Sequence, residues 1–94
     1  MFLPDYTFDK EKAMFTFEQF KNESGLKFKD ISLEAWRIYE YSEDFKIYIE
    51  NPIALNVGKN GHRIFDGQGR SHYIPKGWKH LYWEVEPGNP HFVT

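Results

Sequence analysis

The sequence predicts a mainly β fold of the α+β class, with an N-terminal helix followed by a curled antiparallel β-meander or small partial barrel of five to six short strands. Two observations carry this prediction. Apolar residues recur at helical spacing between residues 13 and 25, and from residue 35 to 93 short β-rich runs alternate with glycine-rich turns. The length of 94 residues indicates a single domain, 1–94.

The N-terminal quarter is predicted to hold an extended arm, residues 1–12, and a helix, residues 13–25. Three apolar residues of the helix fall on one face, at intervals of four and three positions. Thr16 and Gln19 have the spacing of a capping box, and Gly25 is a residue type that commonly ends helices. We therefore expect this helix to cover one face or one open end of the sheet.

Residues 32–42 leave two interpretations open. Ser32 could cap a second helix, because a serine before an apolar run is a common helix start. The run Trp36–Tyr41 instead favours a strand, since β-branched and aromatic residues dominate it. Residues Phe45–Glu50 alternate between apolar and polar, which is typical of a half-buried strand. A hairpin built from these two runs is the favoured interpretation.

The remainder of the chain is divided by clear turn signals. Gly58–Gly61 and Asp66–Gly69 are predicted turns, and Asn60 before Gly61 is a residue pair typical of tight hairpins. The strands between and around them are predicted at Ile53–Val57, His62–Phe65, Ser71–Ile74 and Lys79–Val85, with a closing segment at His91–Val93. Short connections favour pairing of these strands in sequence order.

Composition excludes several classes of function. With no cysteine, the chain has no disulfide framework, thiolate catalysis or cysteine-based zinc site. No phosphate-binding glycine loop, nucleophile elbow or dinucleotide fingerprint is present. The absence of a signal peptide or membrane-spanning run predicts a cytoplasmic protein without a membrane partner. A small non-enzymatic binding module without a cofactor is therefore the leading expectation.

Charge is distributed unevenly along the chain. Residues 1–50 hold eleven acids and seven bases, whereas residues 51–94 hold three acids and five bases. Two explanations remain open: attraction between two faces of one small fold, or a basic patch that faces a partner.

The leading hypothesis is a protein-binding or self-association surface in the last third of the chain. Pro75–Gly77 breaks the strand pattern, so the following Trp78 is expected at the surface. Adjacent strand residues face opposite sides, so one of Tyr82 and Trp83 must be at least partly exposed. Exposed Trp and Tyr dominate protein–protein hot spots. The predicted contact residues are Tyr73, Trp78, Lys79, His80, Tyr82 and Trp83.

Single-stranded nucleic-acid binding is an alternative. A possible basic patch lies on the same hairpins, with aromatic residues interleaved: Lys59, Arg63, Arg70 and Lys76. Cations combined with stacking aromatic rings are how curled β-sheets bind single strands.

A divalent transition-metal site is a further alternative. His62, His72 and His80 lie on successive strand segments, and converging imidazoles suit such metals. Gly69–His80 also resembles the second motif of the cupins: a glycine, five residues, Pro-x-Gly, two residues and a histidine. In cupins that histidine is a metal ligand, so the resemblance implies this role for His80. The first cupin motif is missing, and Glu84 stands where the second ends in asparagine.

The stretch from Trp36 to Phe92 resembles small uncharacterised proteins of bacteria and their phages. The similarity lies in Ile49–Pro52, Gly61–Arg63, Ser71–Pro75 and Gly77–Trp78. It implies a bacterial or phage accessory protein, and it implies no activity.

Overall fold

The computed structural model describes residues 13–85. These residues form one short 3₁₀ helix, Phe17–Gln19, and seven strands. The strands are β1 Lys29–Asp30, β2 Glu34–Glu40, β3 Lys46–Glu50, β4 Pro52–Gly58, β5 Gly61–Asp66, β6 Ser71–Pro75 and β7 His80–Val85. No helix in this part of the chain is long and apolar enough to cross a membrane.

The strands are arranged in two antiparallel sheets. The four-stranded sheet has the order β1-β4-β5-β6, and the three-stranded sheet has the order β3-β2-β7. The inner faces of both sheets contribute to one core of large apolar side chains, consisting of Ile31, Tyr39, Ile49, Leu55, Ile64 and Ile74. The two sheets therefore pack face to face, and neither closes into a barrel.

A single residue, Asn51, separates a strand of one sheet from a strand of the other. Its φ of 49° lies in the left-handed region, where the short polar side chain of asparagine is tolerated better than most. The Asn51 N–H donates to the carbonyl of Ala35, and its own carbonyl accepts from Gly67. Pro52 follows as the first residue of β4, a position that proline tolerates. This sharp corner moves the chain from the three-stranded to the four-stranded sheet.

The helix predicted for residues 13–25 does not form. Thr16 N–H donates to Gln19 Oε1 over 3.0 Å, so part of the predicted capping arrangement is present. The chain nevertheless leaves the helical conformation after one 3₁₀ turn, and Phe20 is already extended, with ψ of 128°.

Aromatic packing explains why this segment is not helical. The ring of Phe20 lies 5.0 Å from that of Phe65 on β5 and 4.9 Å from that of Phe28. Phe15 also packs against Phe65, at 6.1 Å. This segment is rich in Phe, Thr, Asn and Ser, which have weak helix propensity. Burial of the phenylalanine rings on the sheet therefore decides the path of the chain.

The β-meander prediction is confirmed only for part of the chain. β4, β5 and β6 pair in sequence order, and β2 pairs with β3 as the predicted hairpin, so residues 34–40 are strand rather than helix. β7, however, pairs with β2 and not with its sequence neighbour β6. The predicted arm at 1–12 and the closing segment at His91–Val93 lie outside the described residues.

Candidate binding face

The outward side of the β5–β6 hairpin combines an exposed aromatic ring with a cation. Arg63 pairs directly with Tyr73 across the two strands. The Arg63 guanidinium carbon lies 4.9 Å from the centre of the Tyr73 ring, which is a cation–π distance. Tyr73 is nevertheless 49% exposed. Strand alternation places Ile64 and Ile74 on the opposite, buried side.

A groove of about 350 Å³ lies beside this pair. One wall is the extended segment Phe20–Phe28, and the floor is the outer face of β5 and β6. Its lining includes Phe20, Leu26, Phe28, Arg63, Phe65 and Tyr73. Asn56 on β4 helps to hold the wall, since its side-chain amide donates to the carbonyl of Lys27 over 2.8 Å. The aromatic residues that replace the predicted helix thus shape a concave surface.

The single acid of the hairpin region is turned inward. Asp66 is the lone acid between Gly58 and His80, and it is 1% exposed. It accepts hydrogen bonds from His72 Nε2 at 2.7 Å and from the backbone N–H groups of Gln68 and Arg70 at 2.9 Å. Burial opposes its ionisation, but these hydrogen bonds hold the pKa of Asp66 below its ordinary value.

With Asp66 buried, the exposed charge of the hairpin region is entirely positive. Four exposed cations lie on or at the ends of β5 and β6, namely Lys59, Arg63, Arg70 and Lys76. The Arg70 side chain is also tied to the buried acid, since its Nε donates to Asp66 Oδ2 over 3.1 Å. We call these four residues, together with Phe65, Ser71 and Tyr73, the basic aromatic face. These four cations are the residues of the basic patch that the sequence suggested. The wall of the groove adds one cation, Lys21, and one acid, Glu23.

The predicted aromatic contact residues do not form one surface. Tyr73 belongs to the basic aromatic face of the four-stranded sheet. His80 and Tyr82 lie on the outer face of the three-stranded sheet, with their rings stacked at 4.6 Å. Trp83 lies on the other side of that sheet, 4.6 Å from the Arg37 guanidinium. Tyr82 and Trp83 thus lie on opposite sides of β7, and both are half-buried.

Trp78 is more enclosed than the sequence suggests. It is half-buried and packs against the core, with its ring 4.9 Å from Tyr39 and 4.7 Å from His62. The break after Pro75 lets the chain fold Trp78 back between the sheets. Its neighbour Lys79 is exposed, and its backbone N–H donates to the carbonyl of Glu40.

The three histidines considered as metal ligands are held apart by separate partners. His62 Nδ1 lies 2.6 Å from the Tyr39 hydroxyl, His72 bonds to Asp66, and His80 Nδ1 lies 3.8 Å from Glu40. Among residues 13–85 no group of three or more His, Asp or Glu side chains could hold a metal ion. The structure therefore does not bring together the ligand set considered from the sequence.

A buried polar network that the sequence did not reveal lies within the three-stranded sheet and its contact with β5. Glu34 and Arg37 are both 0% exposed and form a two-pronged ion pair at 2.8 and 2.6 Å. Arg37 also donates to the Tyr39 hydroxyl at 3.3 Å, and that hydroxyl meets His62. The sequence indicates this network only through Glu34 and Arg37, two charged residues in the otherwise largely apolar β2. Charge alone does not distinguish a buried ion pair from residues that face solvent.

These buried groups affect each other's ionisation. Burial raises the pKa of Tyr39 to about 12, although Arg37 acts in the opposite direction. Burial and the positive charge of Arg37 lower the pKa of His62 to about 4. None of the four residues lines the groove, and hydrogen bonds link them to one another. The network therefore serves the core rather than the basic aromatic face.

No known protein family, curated protein or solved structure matches the chain.

Proposed function

We propose that the protein is a non-enzymatic binding module that recognises a protein partner through the basic aromatic face. The observation that carries this proposal is the exposed Arg63–Tyr73 pair beside the groove, surrounded by cations, with the only acid of the hairpin region buried. Tyrosine and arginine are the residue types enriched in binding hot spots. A groove beside them offers a pocket for a partner side chain.

The ionisable groups support binding rather than catalysis. His72 is the histidine that lines the groove, and its Nε2 is engaged by the carboxylate of Asp66. His62 and Tyr39, with pKa values of about 4 and about 12, are buried away from the groove. A cytoplasmic accessory role in bacteria or phages remains part of the proposal.

A photocrosslinking experiment tests the proposal. Tyr73 and Tyr48 are replaced, one at a time, by a benzophenone amino acid, and the protein is irradiated in its source cells. Tyr48 is a matched control, because it is 41% exposed but lies on the three-stranded sheet. We expect a protein adduct at position 73 and none at position 48. Excess unlabelled wild type should suppress the adduct, and Arg63→Glu should not.

The same experiment separates the remaining candidates. If nuclease removes the adduct and protease does not, the partner is nucleic acid rather than protein. The cations and the exposed ring of this face could also bind nucleic acid. An adduct of twice the subunit mass would indicate self-association. An adduct at position 48 with none at position 73 would refute the basic aromatic face as the binding surface.

A further inference from the structure

We propose that the partner of the basic aromatic face is an extended acidic segment that adds a strand to the free edge of β6. This inference rests on the proposed function and specifies the chemistry of the partner. It follows from the direction of the β6 backbone groups and from the charge that surrounds them.

The hydrogen bonds at the two ends of β6 show which of its residues face β5. Asp66 N–H donates to the carbonyl of Arg70, and Lys76 N–H donates to the carbonyl of Asn60. In an antiparallel ladder, residues that bond to the neighbouring strand alternate with residues that do not. The even-numbered residues of β6 therefore pair with β5, and His72 and Ile74 belong to this set.

The odd-numbered residues of β6 direct their backbone groups away from β5. The Pro75 carbonyl agrees with this direction, since it accepts a hydrogen bond from the hydroxyl of Tyr41, the residue that follows β2. By the same alternation, the N–H and C=O groups of Ser71 and Tyr73 lie along the outer edge. β6 is the last strand of its sheet, and no residue of the described chain bonds to these four groups.

Edge strands of this kind accept an extended partner strand. The opposite edge of the sheet is β1, which is only two residues long. At β6, Pro75 has no N–H, and its carbonyl is occupied by Tyr41, so a ladder cannot continue beyond Tyr73 on that side. The open stretch suits a short segment of a partner rather than a whole sheet.

Charge and shape specify the segment. A strand added to β6 would run about 4.8 Å from it, next to the exposed ring of Tyr73 and within reach of the cations of the basic aromatic face. Acidic side chains on the outer side of the segment would meet Arg63, Arg70 and Lys76. One apolar side chain on the same side could enter the groove over Phe65. A second copy of β6 fits poorly, because it would bring the same cations together.

Fluorescence anisotropy with a labelled peptide provides the test. In the probe peptide, threonine alternates with residues whose side chains would lie on the side of the basic aromatic face. These residues are three glutamates and one phenylalanine. The comparison peptide has lysine in place of each glutamate. We expect the acidic peptide to bind at least about tenfold more tightly than the basic one, a difference of about 1.4 kcal/mol. Its affinity should fall as salt rises.

Two changes test strand addition itself. Ser71→Pro removes an outward N–H without removing a hydrogen bond to β5, and we expect it to weaken peptide binding by about tenfold or more. Ser71→Ala is the control, because it keeps the N–H and should bind the peptide as wild type does. If Ser71→Pro fails to fold, a peptide N-methylated at alternate residues tests the same bonds against wild-type protein. That peptide should also lose about tenfold or more.

The outcomes distinguish this inference from the proposed function. Equal binding by the N-methylated and unmodified peptides would refute strand addition and leave the binding face intact. Failure of the acidic peptide to outperform the basic one, combined with a protein adduct at position 73, would refute only the acidic segment. Absence of any adduct at position 73 would refute both proposals. Binding of an oligothymidylate in place of the acidic peptide would assign the face to nucleic acid.

Discussion

At the scale of single residues, the buried network of Glu34, Arg37, Tyr39 and His62 is stable because its polar groups have partners of the right chemistry. The Tyr39 hydroxyl has one proton and accepts a hydrogen bond from Arg37, so its proton is donated to His62 Nδ1. This arrangement needs a neutral imidazole with its proton on Nε2. Removal of one partner from a buried ion pair such as Glu34–Arg37 leaves an uncompensated charge, which is costly. This part of the core therefore depends on both members of the Glu34–Arg37 ion pair.

The neutral state of His62 predicts a pH-dependent stability. Its pKa is about 4 in the folded protein and ordinarily 6.5, so between these values the unfolded chain binds the extra proton. The contribution of His62 to the free energy of unfolding should be constant above pH 6.5. Below pH 6.5 the free energy of unfolding should fall as pH drops towards 4, by at most about 1.4 kcal/mol per pH unit. Urea unfolding between pH 4 and 7.5 measures this slope.

His62→Gln is the control for this prediction, since it removes the titrating group. We expect the variant to show a shallower pH slope between 4 and 6.5. The depressed pKa of Asp66 cannot mimic the effect, because it acts below that group's ordinary value of 3.8. Equal slopes in the two proteins would mean that His62 is not buried in its neutral form.

At the scale of elements, the β4–β5 hairpin shows how a correctly predicted turn can have an unexpected cause. Gly58 pairs with Gly61 around the two turn residues Lys59 and Asn60. Asn before Gly is typical of tight hairpins because both residues readily adopt a positive φ, but Asn60 does not adopt one here. Gly61 is needed instead because a Cβ at this position would lie 2.3 Å from the carbonyl oxygen of Ile74 on β6. The glycine thus permits the close approach of β5 and β6, and its φ of 155° is a conformation that residues with a side chain rarely adopt.

This close approach predicts that Gly61→Ala destabilises the protein. The methyl group would push β6 away from β5, and we expect a loss of about 1–3 kcal/mol in the free energy of unfolding. Gly58→Ala is the matched control on the other side of the turn, where the nearest atom is 3.2 Å away, and it should cost less. Chemical denaturation compares the two variants. A Gly58→Ala loss as large as that of Gly61→Ala would contradict the explanation.

At the scale of the whole molecule, stability depends on the contact between the two sheets. The core residues of both sheets pack together, and half-buried Tyr41, Ile47, Trp78 and Leu81 extend this core towards its edge. The chain enters β7 through Trp78 and then pairs β7 with β2 rather than β6. Trp78 therefore lies where the connection between the two sheets meets their common core.

We expect Trp78→Ala to destabilise the protein by about 2–4 kcal/mol, at the lower part of the range for large aromatic truncations because the ring is only half-buried. Tyr73→Ala removes an exposed ring and should change stability by less than about 1 kcal/mol. Urea unfolding followed by far-ultraviolet circular dichroism measures both. If Trp78→Ala were as stable as wild type, Trp78 would be a surface contact residue, as the sequence suggested.

Local patterns in the sequence determined most of the strands. Alternation in Phe45–Glu50 and the turn signals around Gly58–Gly61 and Asp66–Gly69 located β3, β5 and β6 to within one or two residues. They also located the cations of the basic aromatic face. These properties depend on neighbours in the chain, so the sequence is sufficient for them.

Only the tertiary structure decided the partners of the strands and the surroundings of the site. Burial of Phe15, Phe20 and Phe28 against Phe65 overrode the helical spacing and created the groove. The inward turn of Asp66 removed the one acid from the hairpin surface, and the pairing of β7 with β2 separated Trp78 and Tyr82 from Tyr73. Each of these results depends on residues distant in sequence competing for the same apolar surface or hydrogen bond, and periodicity along the chain carries no record of that competition.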